Sequence, residues 1–381
     1  MRRMVIDADS HVYESDATWD YLPDRLQARR PIAITLPPGQ APYLGRMNGF
    51  WLIDGRVVNW TWGHGTVQIG TPLTTTHAVE KPLSVGSQAL TDVPARLRDL
   101  DQAGIDVQVL YPSLFLVRLS EDDAFEAALT QAYNRFMAAQ CGQAPDRLKW
   151  SAVLPLCDVP TAVEEVAQAK QLGAVSLVTF GTVGEKMLHA REFDPVWAAA
   201  EAAGLPVCVH VGWSLPSLNQ VCDEHVSSLN LSFALPLLMG FFSFTGGGIL
   251  ERFPRLRVAF LEAGAGWLPW FVERSDHYHP VGNWFRRSFG LPDLPSASPS
   301  TYLERVWLTC EADERLLPQV IDVLGEDKVM ISEDMPHLEG REGSVSELME
   351  RKDISETIKN KIVTDNPARF YGLEVAVPAG A

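Results

Sequence analysis

The chain has 381 residues, 46% of them hydrophobic and 21% charged, which suits a globular protein with either one large barrel or two smaller domains. A formal net charge of −16 argues against general affinity for nucleic acid or an anionic membrane, and leaves an anionic small substrate open through the local field. Five cysteines, odd in number and never paired as Cys-x-x-Cys, fit a reducing compartment. No signal-type apolar segment follows Met1, so a cytoplasmic enzyme is the expectation.

The first element is a short apolar strand running into Asp7-Ala8-Asp9-Ser10-His11. At strand period two, Asp7, Asp9 and His11 share one face. Carboxylate and imidazole side by side suit a divalent metal. An ordinary strand end bonded into its loop would read the same way.

A short helix is expected over 19–29. Residues 30–87 are rich in Pro, Gly, Thr and Trp and lack a helical period. Within them, 51–58 reads as a hairpin around Asp54-Gly55, a pair that favours the type I′ turn. This region is expected to be an insertion that folds over the site. Trp51, Trp60, Trp62 and His64 are its candidate contacts, with plain packing of the insertion as the other reading.

From residue 88 helices and apolar strands alternate. Strands are expected at 105–110, 148–154, 174–180, 206–211, 256–261, 305–310 and 328–332. Helices are expected at 89–102, 122–141, 160–172, 193–203, 229–251, 266–276, 314–324 and 354–370. With the first segment this makes eight strands, each followed by a helix, which is the count of an α/β (β/α)8 TIM barrel forming a single domain over 1–381. The most apolar window, 231–244, is interrupted by Ser232, Pro236, Gly240 and Ser243, so it is too short and broken to span a bilayer. A buried or subunit-facing helix fits better, and a homodimer is the expectation.

In such a barrel, reactive residues sit at the C-terminal ends of strands. Polar residues there are Asp9 and His11 on the first strand, His210 on the fifth, Glu262 on the sixth, Glu311 on the seventh and Asp334 on the eighth. Two histidines with carboxylates suit zinc, manganese or iron. Glu262 could act as general acid/base or could orient a ligand histidine. His225 could face a substrate or be a plain loop residue. Arg118 could bind a substrate carboxylate or be a solvated arginine. His337 is expected to support Asp334.

Several stretches carry a family resemblance: Asp7-Ala8-Asp9-Ser10-His11-Val12-Tyr13-Glu14, Pro206-Val207-Cys208-Val209-His210-Val211-Gly212, Phe260-Leu261-Glu262-Ala263-Gly264-Ala265-Gly266-Trp267, and Ser332-Glu333-Asp334-Met335-Pro336-His337. With Gly104 to Pro112 and Leu250 to Pro254, they resemble the amidohydrolase superfamily, in the branch of aminocarboxymuconate-semialdehyde decarboxylase and related aromatic-acid decarboxylases. The resemblance implies one divalent metal, zinc first with manganese or iron as alternatives, on Asp9, His11, His210 and Asp334. It implies catalytic roles for His210, Asp334 and the sixth-strand residue, which is histidine in much of the family and Glu262 here. The function expected is a metal-dependent lyase that decarboxylates an aromatic or unsaturated acid, with a small-molecule substrate and no nucleic-acid or membrane partner. A hydrolase of an amide, lactone or C–C bond is one alternative. A non-catalytic binding protein with a drifted site is another.

Overall fold

The computed structural model describes residues 3–35, 49–58, 83–291, 295–337 and 343–374. Eight strands lie parallel in one sheet: β1 (Ile6–Val12), β2 (Val107–Pro112), β3 (Leu148–Val153), β4 (Ser176–Phe180), β5 (Val207–His210), β6 (Val258–Leu261), β7 (Val306–Cys310) and β8 (Val329–Ile331). Spatial order follows chain order, and the strands are almost wholly buried, as the near-continuous apolar runs of a sheet covered on both faces require. The barrel count is as expected from the alternation.

Closure happens just past the strand ends. His11 donates its N–H to Met335 O at 2.7 Å, and Asp334 donates to Asp9 O at 3.1 Å. Ser332 Oγ donates to the same Asp9 carbonyl at 2.9 Å. The fully buried Arg96 clamps the seam, giving Nη2 bonds to His11 O at 2.9 Å and Met335 O at 3.2 Å, and an Nε bond to Gln108 at 2.9 Å. The residues that hold the barrel shut therefore also fix the positions of Asp9, His11 and Asp334.

One feature of β1 departs from the sequence reading. Its pairing with β2 shifts between Asp7 and Ser10, so three steps on β1 oppose two on β2. Such a bulge re-aims side chains. Asp7 consequently leaves the face of Asp9 and His11. Its carboxylate accepts hydrogen bonds from Ser10 Oγ (2.5 Å), Gln108 Nε2 (2.8 Å) and Glu333 N (3.1 Å), and serves the seam.

Between β1 and β2 lies a three-stranded antiparallel sheet of Ile32–Thr35, Gly49–Ile53 and Arg56–Val58. Its hairpin turns at Asp54 (φ 49°) and Gly55 (φ 75°), the two left-handed positions a type I′ turn demands. Trp51 is buried edge-on to Trp19, with ring centroids 5.6 Å apart, so its surface is used in packing. Trp60, Trp62 and His64 lie outside the described residues.

Helix bounds differ most where apolar period is a poor guide. The segment expected as one helix over 229–251 is a π-helical turn (Ser228–Phe233), a helix (Leu235–Phe244) and a short helix (Ile249–Arg252). Pro236, Leu237, Gly240, Phe241 and Phe244 are buried against the barrel wall. A Cβ on Gly181 would lie 1.6 Å from Pro236 O, and one on Gly240 would lie 2.8 Å from Val209 Cγ1. Two glycines thus let this helix lie directly on β4 and β5. The helix expected to end at 276 instead runs Leu268–Ser288 with Pro280 inside it.

Candidate metal centre

The ends of four strands deliver five side chains to a single buried point, two of them from β1. His11 Nε2 lies 3.2 Å from Glu262 Oε2, 3.4 Å from Asp334 Oδ1 and 3.8 Å from Asp9 Oδ1. His210 Nε2 lies 3.0 Å from Glu262 Oε2 and 3.6 Å from Asp9 Oδ1. Asp9, His11, His210, Glu262 and Asp334 therefore converge. Asp9, His11 and His210 form a closed floor, 0–1% exposed, while Glu262 and Asp334 are the rim, 10% and 12% exposed.

Both imidazoles are held by their far nitrogen. His11 Nδ1 lies 2.8 Å from Pro112 O, and His210 Nδ1 lies 3.0 Å from Val211 O. A carbonyl only accepts, so each Nδ1 carries a proton and donates it, which aims Nε2 at the cluster. Burial, with His337 adding to it, pushes His11 down to about 3, so its one proton is the one on Nδ1 and its Nε2 presents a bare lone pair. Burial disfavours charge on His210 as well, but the Glu262 and Asp9 carboxylates outweigh it and raise it well above the usual imidazole range. Burial alone would lift Glu262; the His210 charge overcomes it and holds this carboxyl well below the usual range. Burial pushes Asp9 up to about 6 against the pull of His210.

Among the described residues, both Asp9 carboxylate oxygens and His11 Nε2 are buried without a hydrogen-bond partner, while His210 Nε2 and Glu262 Oε2 face each other as an ion pair without a well-aligned hydrogen bond. Buried polar atoms are normally paired, and leaving one unpaired costs about 1–3 kcal/mol. Carboxylate oxygens and the bare His11 Nε2 meeting at one point in a low-dielectric interior fit a cation, which would stand in for the proton that His210 Nε2 otherwise carries. The residues present therefore suit the divalent metal that the sequence resemblance implies.

The rim carboxylates share a backbone trait. Glu262 (φ 69°) and Asp334 (φ 49°) are two of only four non-glycine residues with positive φ among those described. The left-handed region is unfavourable for a long side chain and tends to be kept where function needs it. Glu262 is held there by its N–H, which donates to Thr309 Oγ1 at 3.1 Å. The following loop is clamped by Glu314, which accepts from Ala265 N at 2.7 Å and Glu311 N at 2.8 Å. Glu311 itself is exposed beyond β7 and is not one of the converging groups.

Three groups outside the ligand set, His337, Ser113 and Glu14, support the centre. His337 Nδ1 lies 2.9 Å from Asp334 Oδ1, and its Nε2 lies 2.8 Å from Ser113 Oγ. Its ring stacks on His11 at 3.9 Å between centroids. Glu14 lies behind Ser113, accepting from Ser113 N (3.2 Å) and Leu114 N (2.7 Å). The sequence reading anticipates His337 beside Asp334 and passes over Ser113. Its position directly after the β2 end was the available signal.

Other expected contacts lie elsewhere. Arg118 Nη2 is 2.5 Å from Asp123 Oδ1, and its Nε is 2.6 Å from Ser120 O. It lines a cavity of about 290 Å³ beside Cys157, Thr182 and Lys186, and no member of the cluster lines that cavity. His225 sits half-buried in the short helix His225–Ser227 after β5, and is not one of the converging groups.

Comparison with known proteins agrees with this geometry. The amidohydrolase family model matches residues 7–373. The chain is 25% identical over 292 residues to 2-amino-3-carboxymuconate-6-semialdehyde decarboxylase of Dictyostelium discoideum, spanning 74% of this chain and 77% of that protein. It is 25% identical over 299 residues to gamma-resorcylate decarboxylase of Rhodococcus jostii, spanning 73% and 87%. An amidohydrolase structure from Mycobacterium avium subsp. paratuberculosis shares the fold at TM-score 0.77 and 22% identity, over 99% of this chain and 100% of that one. A 5-carboxyvanillate decarboxylase from Novosphingobium aromaticivorans, solved with manganese, shares it at TM-score 0.69 and 19% identity, over 97% and 96%. A family match that covers nearly every residue, together with strand-end residues that meet where the fold puts its chemistry, shows that this chain belongs to the amidohydrolase family.

Proposed function

We propose that the protein is a metal-dependent lyase that removes CO2 from an aromatic or unsaturated carboxylic acid at the barrel mouth. The observation that carries this reading is the meeting of two Nδ1-anchored histidines with Asp9, Glu262 and Asp334 at the strand ends. The decarboxylase names of the relatives support the reaction class. Asp9, His11, His210 and Asp334 would hold the cation. Asp9 and Asp334 put two carboxylates beside the two histidines, with Glu262 as a third carboxylate close by, and these oxygen-rich surroundings move the expected metal from zinc toward manganese. Bound there, a divalent cation supplies Lewis-acid polarisation of a substrate oxygen.

The rest belongs to the chain. Asp9, His11 and His210 close the floor to water. Glu262, on the open rim, is ionised at rest beside His210 and acts as a relay: it carries a proton from solvent to the carbon that bears the carboxylate, and the low proton affinity of its carboxyl makes it give that proton up readily. As that C–C bond breaks, its electron pair stays on the ring carbon and forms the new C–H bond, CO2 leaves, and Glu262 is again ionised. Incubating manganese-loaded protein with a panel of hydroxybenzoates and carboxyvanillates should give one CO2 per substrate lost, and chelation should quench it. Intact carboxylates alongside turnover of esters or lactones would instead make this a hydrolase.

Ser113 gives a prediction on the same centre. Ser113→Ala removes the hydroxyl facing His337 Nε2 and loosens the ring that orients Asp334. Metal affinity should fall about 10–100-fold, the usual cost of losing an outer partner of a ligand. Competition with a chelator measures this, and an unchanged dissociation constant would show that His337 holds Asp334 without help.

A further inference from the structure

The cavity of about 290 Å³ opens beside the ends of β3 and β4, and none of Asp9, His11, His210, Glu262 or Asp334 lines it. Its walls are largely apolar, with Phe115, Leu154, Leu156, Phe180 and Phe193 among them. A dry cavity of roughly 150 Å³ takes benzene, so this volume suits one substituted ring. Leu116 and Phe180 stand between it and the segment that follows His210. Leu116 O accepts the Trp213 N–H at 2.9 Å, and a Cβ on Gly212 would lie 2.7 Å from Phe180 Cδ1, so ring and backbone are in contact there.

Three acids and two bases line the cavity, and four of these five are matched with one another. Arg118 Nη2 lies 2.5 Å from Asp123 Oδ1, and Lys186 Nζ lies 2.8 Å from Glu192 Oε1. Glu126 is the fifth. It is buried in the first turn of the helix Asp123–Cys141, and its Oε2 accepts the N–H groups of Leu119 at 3.1 Å and Ser120 at 2.8 Å. Those bonds leave Oε1 free for the cavity that Glu126 lines. Burial pushes this carboxyl up to about 7, as expected of a charge short of donors.

We propose that this cavity is a second small-molecule site, separate from the metal centre, which takes a neutral hydroxylated ring: a phenol whose O–H donates to Glu126 Oε1. Apolar walls suit the ring, and the free carboxylate oxygen suits its one donor. Both bases are already matched by Asp123 and Glu192, so a ligand carboxylate would go uncompensated beside Glu126. An aromatic hydroxy acid that loses CO2 becomes such a phenol. The site thus accepts the product of the proposed reaction and rejects its substrate. That assignment rests on the decarboxylase reading, whereas phenol binding itself does not.

Calorimetric titration of phenol into chelator-treated protein tests the proposal, since it needs neither metal nor turnover. One phenol should bind per chain with a Kd of about 1 mM, the range for so small a ligand. Benzoate should bind at least about tenfold more weakly, because its carboxylate meets Glu126 unpaired. Glu126→Gln keeps an oxygen for Leu119 and Ser120 and turns its NH2 to the cavity. Phenol should then bind at least about tenfold more weakly, the usual worth of a hydrogen bond to a charged group. Val183→Trp, at a half-buried lining position, should fill the space and abolish binding with far-UV circular dichroism unchanged. No saturable binding of phenol up to about 10 mM would overturn the proposal. So would benzoate bound as tightly as phenol, or phenol affinity that survives either substitution. Phenol binding without CO2 release from any hydroxybenzoate would sink the lyase reading and leave this site standing; CO2 release without phenol binding would do the reverse.

Discussion

Glu262→Gln should lower kcat by roughly 10²–10⁴, the usual worth of a positioned general acid/base. At about 1.4 kcal/mol per decade, this is ~3–5 kcal/mol of transition-state stabilisation. Glutamine keeps the shape and reach of the side chain but cannot exchange a proton. The cation should stay, because Asp9, His11, His210 and Asp334 are unchanged and three of the five converging groups form a floor that Glu262 does not complete. Its own place is on the rim, 10% exposed, 3.0 Å from His210 Nε2. The backbone argument points the same way. A left-handed glutamate costs on the order of 1 kcal/mol or more, and glycine would remove that cost, so the side chain is held for something other than folding. The measurement pairs steady-state kinetics with metal analysis of the purified variant. Loss of metal together with activity would make Glu262 a ligand. Full activity would move the proton to Asp334.

Much of this centre is legible in the chain because a covered parallel sheet writes itself as short apolar runs. A run that ends in a polar residue marks the mouth. Asp9, His11, His210, Glu262 and Asp334 all announce themselves in that way, and the structure brings all five together. What the sequence hides is whatever depends on register or on partners from outside the local segment. The β1 bulge turns Asp7 away from the mouth, and nothing in the alternation Asp7, Asp9, His11 foretells it. Ser113 reaches the centre only through His337, 224 residues away. Arg118 looks like a free cation in the sequence, and the fold gives it Asp123. The helix over 268–288 is missed past 276 because its second half presents apolar residues outward, where period analysis expects charge, and because Pro280 reads as a stop. Packing within one chain is inferred well from that chain's pattern; apolar residues turned outward break the pattern.

The largest loss should come from His11. Its Nε2 lies within 4 Å of carboxylates from three different strand ends, Asp9, Glu262 and Asp334. Its Nδ1 is fixed by Pro112 O and its ring by the stack on His337, so the imidazole is positioned before any cation arrives. His11→Ala takes away a neutral donor and leaves Asp9 and Glu262 crowded beside His210, and Asp334 held by His337. Loss of a direct donor should cost more affinity than the roughly 10–100-fold of an outer partner. Since a bound cation contributes several kcal/mol to such reactions, kcat/KM should fall by at least about 10³. Stability gives a readout that does not depend on turnover. A ligand that binds only the folded state adds about 2.7 kcal/mol at 100 times its dissociation constant. Manganese added to chelator-treated native protein should therefore raise Tm by several degrees, and the same addition to His11→Ala should leave Tm where it was. Chelator-treated protein that keeps full activity, or His11→Ala that retains one metal per chain, would remove the cation from this centre and with it the lyase reading.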